Sequence, residues 1–459
     1  MARKSAWGKY DEAALKTVNA FAADYRAFID HGKTERECTA LAEQMAREAG
    51  YTDLAEAVAE GRELKPGDRV YRTCMNKSIM LFIVGSRPLC DGMRILGAHI
   101  DSPRIDLKQN PLYEDDGIAY LDTQYYGGIK KYQWVALPRA MHGVIVRIDG
   151  SVLNVNIGED ENDPVFCISD LLPHLAQEQI KKTGDKLIDG EDLNLIVGGY
   201  PLPETEKEPV KAGILKLLKD KYDVEEEDFI SAELELVPAG RSRDMGFDGS
   251  MVLGYGHDDR VCAYPSLRAL LDYDATPEHT LCAILTDKEE IGSVGATGMR
   301  SHYFENTVSE LYSVTAQYSE FGVKRTLANS RMLSSDVSAG YDPNFSSAFE
   351  KKNAAFLGCG VCFNKYTGGR GKASSSDANA EFIGDLRRIM RDAGISYQFT
   401  ELGKVDLGGG GTSAYMCAKY CMNVIDCGVP VLSMHAPWEI ISKVDLYEAY
   451  RCYCAFLRA

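Results

Sequence analysis

The chain has 459 residues, of which 45% are hydrophobic and 26% are charged, a composition typical of globular proteins with about two domains at this length. A formal net charge of −17 argues against a nucleic-acid-binding protein, because such proteins carry a basic patch or stripe. The sequence has no run of about 18 apolar residues, so we predict no membrane-spanning helix and no membrane partner.

The start of the chain and its cysteines bear on its location in the cell. The opening stretch, MARKSAWGKYDEAALKTV, lacks the apolar segment of a secretory signal. The thirteen cysteines are odd in number and follow no framework spacing. We therefore expect reduced thiols and a cytoplasmic location.

The first part of the chain alternates helical and strand-like patterns. Apolar periodicity predicts helices over 10–30 and 34–49. The apolar runs SIMLFIVG, over 78–85, and MRILGAHI, over 93–100, predict strands. From about 105 to 250, strand-like pieces alternate with charged stretches, which indicates a β-rich insertion.

After residue 250 the pattern is strand then helix, repeated. Such alternation predicts an α/β sheet with crossover helices. We therefore predict an α/β fold class, with a mixed sheet that has helices on both faces. The expected domains are a discontinuous α/β domain, residues 1–104 and 250–459, and an inserted β-rich domain, residues 105–249.

A histidine and an aspartate stand at the end of the second predicted strand, in GAHIDSPR. Because side chains alternate along a strand, His99 and Asp101 can point the same way. His99 could then bind a metal ion through one ring nitrogen while Asp101 orients the ring. The alternative is a structural histidine held by a backbone carbonyl.

Two aspartates, Asp258 and Asp259, open a predicted helix in GHDDRVCAY. One interpretation is an N-cap, because acidic groups are favoured at the positive end of the helix dipole. The other interpretation is a carboxylate that bridges two divalent ions.

Two adjacent glutamates, Glu289 and Glu290, follow an apolar run over 280–285. Like charges repel and are costly to bury, so a solvated loop is one interpretation. A two-metal hydrolase would give them separate tasks. One carboxylate would bind an ion, and its neighbour would accept the proton of the metal-held water.

Asp336 and His435 complete the candidates. Asp336 lies in the turn-rich stretch SSDVSAGYDPN, and His435 follows an apolar run in LSMHAPWEI. Open α/β sheets bind ligands beyond the carboxyl ends of their strands, where His99, the two glutamates and His435 are expected. Two histidines with several carboxylates suit zinc or a similar ion. The sequence therefore predicts a metal site.

Six motifs, taken in order, resemble a known family. They are GAHIDSPRIDLK, YYGGIKKYQW, GHDDRVCAYPSLRAL, DKEEIGSVGATG, SSDVSAGYDPNF and LSMHAPWEIISKVDLYEAY. The set resembles the M18 metallopeptidases, the aspartyl aminopeptidase family, over nearly the whole chain. The resemblance implies a zinc-peptidase domain of α/β type, with a β-rich insertion that serves as a dimerisation or lid domain.

The resemblance also implies an activity and partners. It implies an aminopeptidase that hydrolyses the N-terminal peptide bond of peptide substrates, with metal-bound water as the nucleophile. Two zinc ions per subunit are implied, with cobalt or manganese as substitutes. The implied assembly is a homo-oligomer, a tetrahedral dodecamer built from dimers.

The resemblance assigns a role to each candidate. The implied metal ligands are His99, Asp258, Glu290, Asp336 and His435. Asp258 bridges the ions and shares one of them with His99 and Asp336. Glu290 and His435 hold the other. Glu289 is then the general base, and Asp101 orients His99.

One motif departs from the family. Eukaryotic aspartyl aminopeptidases carry two histidines in D-x-x-H-A-x-H-P-N, where this chain has Ala339 and Asp342. Those histidines lie on the substrate side of the pocket, so we expect hydrolysis to persist and the preference for an acidic first residue to broaden. Asp342 would repel an acidic side chain if it lines the pocket. Lys365 and Arg370 are cations that could still select one, and the alternative is that both are solvated loop charges. The departure points to a bacterial-type branch.

Two alternative functions remain. A related metallohydrolase, such as a deacetylase or carboxypeptidase, could use a similar sheet, because a fold does not fix a substrate. A non-catalytic assembly protein could keep the scaffold. Such a protein would be expected to have lost Glu289 or a ligand, and none is lost.

Overall fold

A computed structural model describes residues 4–369, 371–373, 375–408 and 413–459. The chain divides into two compact units. Unit 1 comprises Met1–Asp101, Ser242–Met434 and Glu439–Ala459, and unit 2 comprises Ser102–Arg241 and His435–Trp438. The short second segment of unit 2 is far in sequence from the rest of that unit.

The described residues contain eleven α-helices and twenty strands. The α-helices are α1 (Glu12–His31), α2 (Glu35–Glu48), α3 (Leu54–Glu60), α4 (Gln177–Ile180), α5 (Pro209–Tyr222), α6 (His257–Leu271), α7 (Tyr303–Thr315), α8 (Glu320–Asn329), α9 (Ala380–Asp392), α10 (Ala414–Ala418) and α11 (Lys443–Leu457). The strands are β1 (Thr52–Asp53), β2 (Arg69–Cys74), β3 (Ser78–Ile83), β4 (Arg94–His99), β5 (Arg104–Asp115), β6 (Ile118–Tyr126), β7 (Arg139–Val146), β8 (Val152–Ile157), β9 (Leu195–Gly198), β10 (Ala232–Pro238), β11 (Arg243–Met245), β12 (Met251–Gly254), β13 (Leu281–Thr286), β14 (Arg331–Ser334), β15 (Ser338–Ala339), β16 (Val361–Asn364), β17 (Tyr397–Thr400), β18 (Asn423–Gly428), β19 (Pro430–Val431) and β20 (Glu439–Ser442).

Local sequence signals account for the first two helices. Helix α1 begins after Asp11, whose side chain accepts a hydrogen bond from the backbone N–H of Ala14. Helix α2 begins with a capping box, in which Thr34 and Glu37 satisfy each other's backbone N–H groups. The predicted helices over 10–30 and 34–49 thus correspond to α1 and α2.

Unit 1 is built on a mixed sheet. Among the described residues its strand order is β1-β2-β3-β13-β4-β14-β18-β16-β17. Strand β4 lies between β13 and β14 and is parallel to both. Strands β3 and β13 are buried at every position, which is the pattern of a sheet covered on both faces.

Alternate residues of strand β3 belong to two separate hydrophobic cores, one on each face of the sheet. Ile79 and Leu81 of β3 join a core lined by α1, α2, α6, α9 and α11. Met80 and Phe82 point the other way, into a core lined by α3, α7, α8 and α10. The mixed α/β sheet with helices on both faces is therefore confirmed.

Unit 2 contains an antiparallel sheet. Within the described residues the strand order is β8-β7-β10-β5-β6-β9. The pairing of β5 with β6 shifts register between Leu107 and Leu112. Helix α5 begins with Pro209 in its first turn, where the missing N–H costs no intrahelical bond. The β-strands predicted between about residues 105 and 250 are therefore present.

No helix in the described residues combines the length and apolar character needed to cross a bilayer. The thirteen cysteines all lie in the described residues and are all free thiols.

Candidate metal centre

Three of the predicted ligands, His99, Glu290 and Asp336, lie at the carboxyl ends of three neighbouring parallel strands. His99 is the last residue of β4 and stands opposite Thr286, the last residue of β13. The turn after β13 carries Glu289 and Glu290, and Asp336 follows β14 by two residues. The order β13-β4-β14 therefore brings together side chains that are far apart in sequence.

The ring of His99 is held between two aspartates. Its Nδ1 lies 2.9 Å from the backbone carbonyl oxygen of Asp101, and its Nε2 lies 3.2 Å from Oδ1 of Asp258. A carbonyl can only accept, so Nδ1 donates and Nε2 is the nitrogen that faces Asp258. Burial lowers the pKa of His99, but hydrogen bonds and charges of Asp101 and Asp258 raise that pKa well above its ordinary value. The raised pKa means that Nε2 of His99 holds a proton more readily than a free imidazole does, and a metal ion would compete with that proton for Nε2.

Asp101 has a second task that the sequence did not reveal. Its Oδ1 accepts from the backbone N–H of Glu289 at 3.1 Å, and its Oδ2 accepts from that of Glu290 at 3.2 Å. The side chain of Asp101 is fully buried. One carboxylate therefore fixes the turn that carries both glutamates, besides lying 3.4 Å from Nδ1 of His99.

We expect Asp101→Asn to weaken zinc binding about 10–100-fold, the usual effect of losing a partner that orients metal ligands. An amide offers one acceptor oxygen in place of two, so one backbone N–H of the glutamate turn would face an NH₂ group. Turnover should fall as well. Zinc competition with a chelator and kcat at saturating zinc measure the two effects. Asp91→Asn, at an exposed aspartate just before β4, is the control, and equal values for both variants would contradict the assigned role.

The two aspartates at the start of α6 lie at a kink in the helix. Asp258 and Asp259 have non-helical backbone angles, two and three residues after Gly256. The backbone N–H of Asp258 donates to Glu439 at 3.0 Å, and Oδ2 of Asp259 accepts from the backbone N–H of His99 at 3.3 Å. Both interpretations of this pair, the N-cap and the bridging carboxylate, stay predictions.

Within the part of the chain that the structure describes, two groups of side chains are close enough to share a metal ion. In each group the potential ligand atoms lie within 4.8 Å of one another. One group is His99, Asp258 and Glu290, and the other is His99, Glu289 and Asp336. Both glutamates thus lie near the same histidine, and geometry alone does not divide their tasks.

The charges of this cluster suit a cation. Asp336 keeps partial solvent exposure, yet desolvation and the charges of Glu289 and Asp258 raise its pKa well above the ordinary range. Desolvation and the nearby Asp258 also raise the pKa of the buried Asp259. Several carboxylates that resist ionisation side by side become stable as anions when a divalent ion lies among them. Imidazole and carboxylate donors together are a common zinc ligand set.

The remaining candidates have contacts of their own. His435 belongs to unit 2, where its Nδ1 lies 2.8 Å from the carbonyl oxygen of Gly128. Asp342 accepts a hydrogen bond from the backbone N–H of Asn344. Lys365 is exposed, and its ammonium group lies 5.6 Å from the centre of the Tyr366 ring. Arg370 lies outside the described residues.

Three supporting residues gave no signal of their own in the sequence. Asp259 and Glu439 hold backbone N–H groups of the ligand residues. Gly428, at the end of β18, lies against Asp336, because a Cβ there would be 1.9 Å from the carbonyl oxygen of Asp336. The adjacency of Asp259 to Asp258 was visible, but its bond to the strand backbone depends on the fold.

Comparison with known proteins decides the family. The sequence profile of the family described as "Aminopeptidase I zinc metalloprotease (M18)" matches residues 28–457. The chain is 56% identical over 455 residues to a "Probable M18 family aminopeptidase 1" of Clostridium acetobutylicum, covering 99% of this chain and 98% of that protein. The chain belongs to the M18 family. It is therefore a metallo-aminopeptidase, and the family favours this activity over the deacetylase, carboxypeptidase and non-catalytic alternatives.

Solved structures of M18 proteins share the fold. The crystal structure of aminopeptidase I from Clostridium acetobutylicum has a TM-score of 0.93, 52% identity and full coverage of both chains (100% and 100%). The M18 aminopeptidase structure from Thermotoga maritima has a TM-score of 0.95 and 41% identity, and covers 100% of this chain and 99% of that one. A structure described as the S. cerevisiae mApe1 dodecamer shares the fold at 19% identity, with a TM-score of 0.74 and 95% coverage of each chain.

Proposed function

We propose that this M18 chain is a dinuclear zinc aminopeptidase that releases the first residue of peptides. The observation that supports the proposal best is the convergence of two groups of side chains on His99. Glu289, Glu290 and Asp336 follow the carboxyl ends of β13 and β14, and Asp258 comes from the start of α6. With Glu289 kept as a base, the other four side chains still supply imidazole and carboxylate donors for more than one ion.

In this proposal each side chain has one task. His99, Asp258 and Asp336 would hold one zinc ion, and Asp258 and Glu290 would hold the other. His435 is proposed as a further ligand from the family resemblance. Zinc supplies the Lewis acidity that polarises the scissile carbonyl and activates the attacking water.

Glu289 is the proposed general base. A carboxylate beside the ligands can take the proton of the attacking water and pass it to the leaving amine. Its backbone is fixed by Asp101, so the carboxylate can stay directed at the reacting atoms. A free α-amino group of the substrate carries a positive charge, which the acidic cluster also favours.

The first-residue preference is expected to be broad. Asp342 uses a carboxylate oxygen to cap a short turn, and Lys365 is exposed, so neither is a buried counterion of the kind that strong selection for an acidic side chain needs. We expect kcat/KM for Asp or Glu reporters to exceed that for Leu or Met by less than about a hundredfold. A larger ratio that disappears in Lys365→Ala would contradict this expectation.

The test of the function uses the metal-free protein reloaded with single metals. Zinc, cobalt and manganese are titrated separately, and hydrolysis of aminoacyl reporters is compared with that of N-acetylated reporters of the same sequence. We expect activity to depend on metal and to require the free amino group. Equal cleavage of acetylated and free peptides would refute an aminopeptidase.

We further propose a homo-oligomer larger than a dimer, with the β-rich insertion in subunit contacts. The support is the family, one of whose structures is described as a dodecamer. Light scattering at micromolar protein should give a mass well above twice the 50.6 kDa of one chain. A mass of one chain would contradict the assembly.

A further inference from the structure

The motif YYGGIKKYQW, residues 125–134, has no part in the chemistry proposed above. It lies in unit 2, at the end of β6 and in the loop that follows. The same unit contains His435–Trp438, which joins it from a distant part of the sequence. The contacts of this motif within unit 2 therefore bear on His435.

Two groups of the motif contact His435. The carbonyl oxygen of Gly128 lies 2.8 Å from Nδ1 of the ring. The indole N–H of Trp134 donates to the backbone carbonyl oxygen of His435 at 3.2 Å. One contact sets the ring and the other sets the backbone, so both the position and the orientation of His435 are fixed.

The contact with Gly128 selects a tautomer. A backbone carbonyl only accepts hydrogen bonds, so Nδ1 of His435 must carry the hydrogen. In the neutral ring the lone pair is then on Nε2, which would be the nitrogen available to a metal ion. His99 is held in the same manner, because its Nδ1 also faces a backbone carbonyl, that of Asp101.

The contact with Trp134 holds an unusual backbone. His435 has a φ of 66°, a left-handed conformation that residues other than glycine adopt only when their surroundings impose it. Trp134 is itself immobilised: it is fully buried, and the buried guanidinium of Arg139 lies 5.1 Å from its ring centre. Arg139 also donates a hydrogen bond to the backbone carbonyl of Trp134.

We propose that Trp134 is a positioning residue for the metal ligand His435, and that the insertion thereby contributes to zinc affinity. This inference rests on the proposed function, in which His435 binds zinc. Trp134 contacts neither substrate nor metal in this proposal. It acts through the backbone of His435, with Gly128 acting through the ring.

The test is zinc binding to Trp134→Phe in the full-length protein. Phenylalanine keeps an aromatic ring under Arg139 and removes the N–H donor together with one ring of the indole. We expect the affinity for one of the two zinc ions to fall about 10–100-fold, measured by competition with a chelator. Activity should return at excess zinc, with KM unchanged. Trp438→Phe, the same change at an indole that does not donate to His435, should behave as wild type.

The outcomes separate this inference from the function on which it rests. Wild-type zinc affinity in Trp134→Phe, or lost activity that excess zinc does not restore, would overturn the positioning role. Two firmly bound zinc ions in His435→Ala would instead overturn the assignment of His435 as a ligand. If Trp134→Phe does not fold, a benzothienyl analogue of tryptophan at position 134 removes the N–H while keeping the ring shape, and is judged by the same criteria.

Discussion

Glu289→Gln is expected to keep both zinc ions and to lose most of its turnover. Glutamine has nearly the same shape but cannot accept a proton from the attacking water, and general acid–base groups typically contribute about 10²–10⁴-fold to rate. The turn itself should survive, because Asp101 binds the backbone N–H of Glu289 rather than its side chain. The measurement is kcat at saturating substrate together with zinc content by mass spectrometry.

This variant also decides which glutamate does which task. Because Glu289 groups with His99 and Asp336, it could act as a ligand instead of a base. In that case Glu289→Gln would lose zinc, and its activity would recover as zinc is added. A near-normal kcat would show that neither task belongs to Glu289.

Glu290→Gln should give the opposite phenotype. Replacing a carboxylate ligand by a neutral amide removes one charge from the group formed with His99 and Asp258. We expect zinc to be lost during dialysis against a chelator, and the activity to fall with it. Added zinc should restore a large part of the activity, because the base remains in place.

A side-by-side titration of the two variants provides the control. Both carry the same chemical change at adjacent positions, and the backbone of each is bound to Asp101. Any general damage to the turn would therefore affect both alike. Equal zinc affinities in the two variants would refute the division of labour.

Local patterns identified the strands that carry the site, but not their neighbours. The runs ending at His99 and before Glu289 were visible as β4 and β13, since apolar stretches of that length predict buried strands. Strand β13 lies between β3 and β4, which are consecutive in the chain. Hydrophobicity carries no information about partners, so this order came only with the fold. Strand β14, before Asp336, was missed because it is only four residues long.

The surroundings of the ligands were harder to predict than the ligands. An aspartate before a helix looks like a cap, and only the fold shows that Oδ1 of Asp258 lies 3.2 Å from Nε2 of His99. Glu439 and Asp259 matter through hydrogen bonds to backbone groups distant in sequence. The grouping of His435 with unit 2 depends on tertiary contacts, and no local pattern encodes it. The roles of Glu289, Glu290 and His435 and the number of ions stay predictions.

The central place of β4 has a consequence for how an ion enters. Fixing the backbone of one residue costs about 1–2 kcal/mol of free energy through lost conformational entropy. A binding site built on flexible loops incurs much of this cost when the ligand binds. His99 instead ends a strand paired on both sides, so its backbone is ordered by folding itself. Metal uptake at this end of the cluster should therefore require little rearrangement, with affinity governed by charge and desolvation.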